Sequence, residues 1–152
     1  MIQYKLASID EIEILAKTRV DFLKDEQDIS EAEEQDLYEN NKEYFMKSFE
    51  NGRCASWIAL ENNRIIATSS ISFFEWPPNK KCPNGKVAYI SNMFTYPEYR
   101  NRGIASRLFD LSVKEAVKRN CGKIILDTTD MGRPIYEKYG FIDIDGYMIY
   151  YT

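Results

Sequence analysis

The segment YRNRGIASRLF, residues 99–109, combines two arginines, a glycine and the beginning of an amphipathic pattern. The pattern predicts a helix that begins at Gly103, and the first turn of a helix exposes unpaired N–H groups at the positive end of its dipole. No acidic residue caps this turn, and Gly103 has no side chain to keep a ligand away from the backbone. Arg100 and Arg102 add positive charge. Together these residues predict an anion site suited to a pyrophosphate.

The elements on either side of this turn support the same interpretation. A strand predicted over residues 86–95 ends before Pro97, which cannot continue it. The helix after the turn has a polar stripe at helical spacing, opposite an apolar face. The stripe consists of Arg107, Asp110, Lys114 and Lys118. A second strand, predicted over residues 123–128, then completes a parallel β-α-β crossover. The alternative is a helix start that happens to have arginines nearby.

The complete lack of histidine limits the chemistry available to this chain. It excludes nucleophile pairs built on histidine and the commonest zinc sites. The three cysteines, Cys54, Cys82 and Cys121, are far apart and show no metal-ligand spacing, so no metal is expected. Acid–base chemistry must therefore use carboxylates, tyrosine, lysine, cysteine or water.

The cysteine usage and the N-terminus predict a cytoplasmic protein. An odd number of dispersed cysteines fits a reducing compartment better than a disulfide framework. The first residues, MIQYKLASIDE, contain early charges and no apolar core of a signal peptide. No apolar run is long enough to span a bilayer, so no membrane association is expected.

The periodicity of apolar residues predicts one mixed α+β domain over residues 1–152. The predicted strands cover residues 2–7, 54–60, 64–75, 86–95, 123–128 and 141–152. The predicted helices begin after a cap at Ser8 or Asp10, after a capping box of Ser30 and Glu33, at Gly103 and at Gly132. The dipeptide Asn62-Asn63 predicts a hairpin turn between the second and third strands.

The acidic residues are concentrated in residues 21–50, where eleven acidic and three basic side chains leave a balance of −8. The whole chain has a net charge of −4 and no basic stripe, which argues against nucleic-acid binding. The acidic segment has two interpretations. It is either a solvated helix face or a surface that attracts a cationic substrate or partner.

Residues 87–141 resemble the core of the GCN5-related N-acetyltransferase (GNAT) superfamily. The acetyl-CoA signature [RQ]-x-x-G-x-[GA] is matched by Arg100, Gly103 and Ala105, and the flanking NMFTYPEYRNRGIA and GRPIYEKYGF are also characteristic. The resemblance implies a mostly antiparallel sheet with a splayed parallel pair and about four helices. It also implies an acyltransferase that uses acetyl-CoA as donor, without a metal, and an amine that attacks directly in a ternary complex.

The resemblance assigns roles to individual residues of this chain. The strand before the signature is implied to contain a bulge, to bind the pantetheine arm through its backbone and to polarise the thioester carbonyl with one N–H. The residues in these positions are Asn92, Met93, Phe94 and Thr95. The pyrophosphate turn comprises Arg100, Asn101, Arg102, Gly103, Ile104, Ala105 and Ser106, with the N–H groups from Arg102 to Ser106 as donors. Tyr136 matches the tyrosine beside the cofactor sulfur.

Two features depart from the pattern of the superfamily. Many members have an asparagine about seven residues before the tyrosine, where this chain has Thr129 followed by Asp130. Many members also place a glutamate on the strand before the signature, and YISNMFT contains none. A side-chain contact to the cofactor at the first position and the identity of the general base are therefore open.

Ordinary acid–base chemistry gives each of these groups a task. The amine must lose a proton, a backbone N–H stabilises the oxyanion, and coenzyme A leaves as a thiolate. A phenol with a reference pKa of about 10 is protonated at neutral pH, so Tyr136 can protonate that thiolate. The alternative for Tyr136 is a packed aromatic residue. Glu75, Asp127 and Asp130 are candidates for a base acting through water, and each is otherwise a surface or capping carboxylate.

Three functions remain open at this stage. The first is N-acetylation of a primary amine on a small molecule, which is a cationic one if the acidic segment faces the cleft. The second is acetylation of a protein N-terminus or lysine, which an open groove would favour. The third is a non-catalytic module that binds acetyl-CoA or a partner through its acidic helices. A homodimer is a possible assembly in each case.

Overall fold

A computed structural model describes residues 1–152, and its elements follow the predicted order up to residue 140. The strands are β1 (Gln3–Leu6), β2 (Cys54–Glu61), β3 (Arg64–Glu75), β4 (Lys86–Thr95) and β5 (Lys123–Leu126). The α-helices are α1 (Ile12–Glu26), α2 (Glu31–Glu50), α3 (Ile104–Lys118) and α4 (Arg133–Tyr139). Short 3-10 turns cover Ile9–Glu11 and Pro97–Tyr99. None of the helices has the length and apolar character needed to cross a lipid bilayer.

The five strands form one sheet in the order β1-β2-β3-β4-β5. The pairs β1–β2, β2–β3 and β3–β4 are antiparallel, whereas the pair β4–β5 is parallel. Helix α3 connects these two, because parallel neighbours need a long crossover. The predicted mixed α+β fold, with a mostly antiparallel sheet and one parallel pair, is confirmed.

Local sequence signals explain several boundaries. Asn62 and Asn63 have φ angles of 51° and 62°, which is the backbone that a two-residue hairpin turn requires. Ser30 begins α2 through a capping box with Glu33, as predicted. Helix α3 starts at Ile104 with Gly103 as its N-cap, also as predicted.

The Ser30 cap should contribute measurably to stability. The Ser30 hydroxyl accepts a hydrogen bond from the N–H of Glu33 at 3.3 Å, and the Glu33 carboxylate accepts one from the N–H of Ser30 at 2.8 Å. We expect Ser30→Ala to lower the free energy of unfolding by about 1 kcal/mol in urea denaturation. Ser30→Thr keeps a hydroxyl and is the control. An equal loss in both variants would contradict a role for the cap.

Helices cover both faces of the sheet. Helices α1 and α2 pack on one face through the cluster Ile12, Leu15, Ala16, Phe45, Cys54, Ile58 and Ile65. Helix α3 packs on the other through the cluster Ile71, Ala88, Ile90, Phe109, Val113, Ala116 and Tyr136. Successive residues of a strand face opposite sides, so Tyr89, between Ala88 and Ile90, lies on the face that α1 and α2 cover.

The predicted strand over residues 141–152 is wrong, because this segment forms neither strand nor helix. Its apolar side chains are exposed, with Ile142 at 83% and Tyr150 at 89%. An alternating pattern becomes a strand only where its backbone completes a hydrogen-bond ladder, and this segment makes none with the free edge of β5. The other predicted strands differ from the structure by no more than two residues at either end.

Candidate active site

A β-bulge interrupts β4 where it faces β3. Between the pairs Thr68–Phe94 and Ser70–Ser91, β4 contains one more residue than β3. Asn92 lies within this interval with φ of 53°, and its carbonyl oxygen accepts a hydrogen bond from the Thr68 hydroxyl at 3.0 Å. The bulge therefore falls in the segment that the resemblance assigns to the pantetheine arm.

Strands β4 and β5 part at the same point. Their last pair is Ile90 with Leu126, and no residue of β5 pairs with residues 92–95 of β4. The backbone groups of β4 on that side are left without a ladder partner. An extended chain containing amides can hydrogen-bond to such an open strand edge, as an added strand does.

The first turn of α3 faces open space. Gly103 is the N-cap with φ of 75°, and no side chain caps the helix. The first turn contains no acidic residue. A Cβ built on Gly103 would meet no atom within 4 Å. The free N–H groups and the positive end of the helix dipole are therefore available to an anion.

The two arginines of the turn are each held by a carboxylate. Arg100 pairs with Asp25 of α1, and its Nε donates to the carbonyl oxygen of Thr95 at 2.9 Å. Arg102 pairs with Glu61 at 3.3 Å. The sequence interpretation counted both guanidinium groups as positive charge added to the anion site. Because the carboxylates compensate them, these arginines add less net charge to the turn than the sequence suggested.

A cavity of about 440 Å³ lies between the bulge and the start of α3. Most of the predicted cofactor residues line it, namely Met93, Phe94, Thr95, Arg100, Asn101, Gly103, Ile104, Ala105 and Ser106, and Tyr136 joins them. Asn92 is instead buried in the sheet, with its Oδ1 lacking a hydrogen-bond partner. Arg102 turns away to Glu61.

The cavity also contains residues that sequence reasoning missed as site residues. Phe22 of α1 lines it, together with Met131 and Ile135 near α4. Phe22 follows Leu15 and Ala16 at helical spacing, but no signal in the sequence tells which part of α1 meets the cleft. Thr129, where many superfamily members have asparagine nearby, accepts a hydrogen bond from the N–H of Gly132 at 3.1 Å and also lines the cavity.

Tyr136 is positioned by the aromatic packing of α4 on α3. Its ring lies 5.0 Å from that of Phe109, and the residue is 6% exposed. Burial raises the pKa of its phenol, so the hydroxyl stays protonated over the whole neutral range. A Cβ at position 132 would lie 2.7 Å from the hydroxyl oxygen, so Gly132 provides the space that the phenol occupies.

The three candidate bases lie in different places. Asp127 follows β5 directly beyond the last β4–β5 pair, and its Oδ2 accepts a hydrogen bond from the Tyr89 hydroxyl at 2.5 Å. Glu75 pairs in register with Lys86 at the other end of β4. Asp130 is exposed in the turn before α4. Of the three, Asp127 is the carboxylate at the opening between β4 and β5.

The described side chains contain no cluster of three potential metal ligands. The site consists of an open strand edge, an uncapped helix start and a buried phenol, which together define the class of enzymes that transfer an acyl group from a coenzyme A thioester. The sequence profile of the Acetyltransferase (GNAT) family matches residues 15–141. The chain belongs to this family and is an acyltransferase.

Solved structures agree with this assignment. A predicted acetyltransferase from Clostridium acetobutylicum, crystallised with acetyl-CoA, has a TM-score of 0.92 and 38% identity over 99% of this chain and 96% of its own. A GCN5-related N-acetyltransferase from Ralstonia eutropha JMP134 has a TM-score of 0.89 and 21% identity over 99% of both chains. An aminoglycoside N-acetyltransferase in complex with CoA shares the fold, with a TM-score of 0.75 and 16% identity over 100% of this chain and 95% of its own. None of the curated protein sequences matches the chain.

Proposed function

We propose that residues 1–152 form a single acetyltransferase domain that transfers the acetyl group of acetyl-CoA to a primary amine of a small molecule. The observation that carries the proposal is the alignment of two features along one cavity. The open edge of β4 between Asn92 and Thr95 leads to the uncapped start of α3 at Gly103. An extended arm ending in a pyrophosphate has the chemistry that such a path would bind.

The donor would lie along this path. The backbone of Asn92 to Thr95 would pair with the amides of the pantetheine arm, and the N–H groups from Arg102 to Ser106 would bind the pyrophosphate. Arg100 would act indirectly, because its bonds to Asp25 and to the Thr95 carbonyl tie the turn to α1 and β4. The relative from Clostridium acetobutylicum, crystallised with acetyl-CoA, supports this donor.

The reaction would proceed by direct attack with both substrates bound. The neutral nitrogen of the amine attacks the thioester carbonyl, a C–N bond forms, and the carbonyl oxygen becomes an oxyanion. A fixed N–H of the β4 bulge would stabilise that oxyanion. The C–S bond then breaks, and coenzyme A leaves as a thiolate. The proton of the nitrogen passes to a base, and the thiolate takes a proton from Tyr136.

The base would be Asp127, acting through water or through Tyr89. We expect Asp127→Asn to lower kcat/KM by about tenfold to a hundredfold at neutral pH. The loss should shrink at high pH, because more of the amine is then already deprotonated. Glu75→Gln is the matched control, since this exposed carboxylate lies at the other end of β4 and should leave kcat/KM unchanged. Wild-type kcat/KM in Asp127→Asn would exclude this carboxylate as the base.

The acceptor side of the cleft favours a small molecule over a protein segment. The hydroxyl of Tyr44 on α2 is hydrogen-bonded to that of Ser72 on β3, so α2 is attached to the sheet on this side. Helix α1 reaches the cavity with Phe22, Asp25 and Glu26. A protein N-terminus or lysine, the second candidate acceptor, would fit better in an open groove than beside a helix that lines the cavity.

A thiol-release assay tests the proposal. Acetyl-CoA is supplied with polyamines, amino acids, aminoglycosides or lysine-containing peptides, and free coenzyme A is measured. Release with small amines and not with peptides is the expected result. Release with peptides alone would support the protein acetyltransferase, and release with no amine would support the non-catalytic module.

Three expectations from the sequence stay predictions. A preference for cationic acceptors rests on the acidic segment, residues 21–50, and a cytoplasmic location rests on the cysteines and the N-terminus. A homodimer is the third. The exposed apolar side chains of residues 141–152 provide a surface whose burial would favour self-association.

A further inference from the structure

Thr68 of β3 is a buried threonine that bonds to the bulge of β4. Its hydroxyl donates to the carbonyl oxygen of Asn92 at 3.0 Å. Asn92 lies in the left-handed region, with φ of 53°, which is uncommon for residues other than glycine. Asn92 also has no partner in the register of β3 and β4. The Thr68 hydroxyl therefore supplies a hydrogen bond where the regular pairing of the strands is interrupted.

The side chain of Asn92 contributes little to holding this conformation. Its Oδ1 is buried without a hydrogen-bond partner, and its Nδ2 donates to the Ser70 hydroxyl at the long distance of 3.5 Å. The bond from Thr68 is shorter and acts on the backbone directly. Thr68 and Asn92 are 0% and 2% exposed, so water could not readily replace this hydroxyl at the Asn92 carbonyl.

The bulge reverses which residues of β4 face which helix. Before it, Ile90 packs in the cluster beneath α3. In a regular strand the even-numbered residues would continue on that face. After the bulge, however, Phe94 packs on Phe22 of α1, with ring centroids 6.0 Å apart, and Met93 packs against the cluster beneath α3. The extra residue thus turns the rest of β4 by one position.

The turned part of β4 is the part that lies in the proposed site. Met93, Phe94 and Thr95 line the cavity of about 440 Å³, and β5 pairs with none of them. An N–H that stabilises an oxyanion must lie about 2.7 to 3.1 Å from it. A change in the conformation of the bulge would therefore move the donor away from the position where the charge develops.

We propose that Thr68 is a positioning residue for acetyl transfer. Its hydroxyl holds Asn92 in the left-handed conformation, and the bulge then directs the N–H groups of residues 93–95 to the thioester. This assignment rests on the proposed function, because it names a further residue on which the same site depends. Thr68 itself lines neither of the two cavities at Tyr136, so it acts through the backbone of β4 and not on a substrate.

Thr68→Val tests the proposal, because valine keeps the shape of the side chain and removes the hydroxyl. Losing an oxyanion donor outright costs roughly a hundredfold to a thousandfold in kcat, so we expect its displacement to lower kcat by about tenfold to a hundredfold. The dissociation constant of acetyl-CoA, measured by calorimetry, should rise by a smaller factor, because the turn at Gly103 is unchanged. Thr68→Ser keeps the hydroxyl and should retain most of kcat.

Thr18→Val is the matched control. Thr18 is also 0% exposed, and its hydroxyl donates to the carbonyl oxygen of Ile14 at 2.8 Å, but within α1. This variant should leave kcat unchanged, and thermal unfolding reports its effect on stability. Wild-type kcat in Thr68→Val would overturn the role of the Thr68 hydroxyl and leave the acetyltransferase standing. A loss of the same size in Thr68→Ser or in Thr18→Val would do the same.

A measurement without turnover separates this assignment from the proposed function. The amide NMR shifts of Met93 to Thr95 should change in Thr68→Val and stay near their wild-type values in Thr68→Ser. Unchanged shifts in Thr68→Val would overturn the positioning role. Absence of coenzyme A release from the wild-type protein with every amine would overturn the proposed function and the catalytic role of Thr68 together, whereas the shifts would still show whether its hydroxyl holds the bulge.

Discussion

Replacing Tyr136 with phenylalanine is expected to lower turnover by about tenfold to a thousandfold while the affinity for acetyl-CoA is kept. Tyr136 lines both cavities near the opening between β4 and β5. Burial raises the pKa of its phenol, so the hydroxyl is protonated at neutral pH and can donate a proton. Phenylalanine preserves the packing on Phe109 and removes only the proton donor. The measurement is kcat from thiol release, with calorimetry of acetyl-CoA binding alongside it.

Tyr139→Phe provides the matched control for this substitution. Tyr139 lies one turn further along α4 and also packs on Phe109, with ring centroids 5.4 Å apart, but it does not line either cavity. Its loss of a hydroxyl should not change turnover. Wild-type turnover in Tyr136→Phe would show that water or another group protonates the thiolate, and equal losses in both variants would point to packing instead of proton transfer.

Replacing Gly103 with glutamate is expected to weaken acetyl-CoA binding by roughly a hundredfold or more. A Cβ at this position meets no protein atom within 4 Å, so the new carboxylate would extend into the space assigned to the pyrophosphate. Two like charges about 4 Å apart repel by about 4 kcal/mol at the effective dielectric near a protein surface. Calorimetry of acetyl-CoA binding measures the effect, and thermal unfolding reports the cost of the backbone strain.

Gly52→Glu separates strain from repulsion. Gly52 has φ of 71°, close to the 75° of Gly103, and a Cβ there also meets nothing within 4 Å. It lies in the turn before β2, so glutamate there brings the same strain and charge without facing the proposed site. Unchanged binding in Gly103→Glu would exclude this turn as the pyrophosphate site. Equal weakening in both variants would assign the effect to strain.

Much of the fold could be predicted because its signals are local. The bounds of β3 and β4, the Asn62-Asn63 hairpin and the Ser30 cap follow from periodicity and from backbone preferences of single residues. The start of α3 at Gly103 also follows from the residue types of a few neighbouring positions. These features involve residues only a few positions apart, so no distant contact is needed to specify them.

The candidate site was predictable only in part. The turn around Gly103 could be identified from its residue types, and Tyr136 and the bulge near Asn92 came from the resemblance to a known superfamily. The pairing of Arg100 with Asp25 joins residues 75 positions apart, and the Tyr89–Asp127 hydrogen bond spans 38. Neither has a signal in the residues next to it, because an ion pair or hydrogen bond depends on which elements the fold brings together.

By itself, therefore, the sequence determined the order of the elements up to α4 and the anion-binding character of the turn before α3. The tertiary structure alone decided that residues 141–152 are not a strand, since their backbone does not hydrogen-bond to the free edge of β5 or to any other strand. It also decided that Arg19, one polar residue of an amphipathic helix, is half-buried with its guanidinium over the ring of Phe22. Periodicity specifies which face of an element is apolar. The free energy of a buried charge or an open strand edge depends on the partners that folding places beside it.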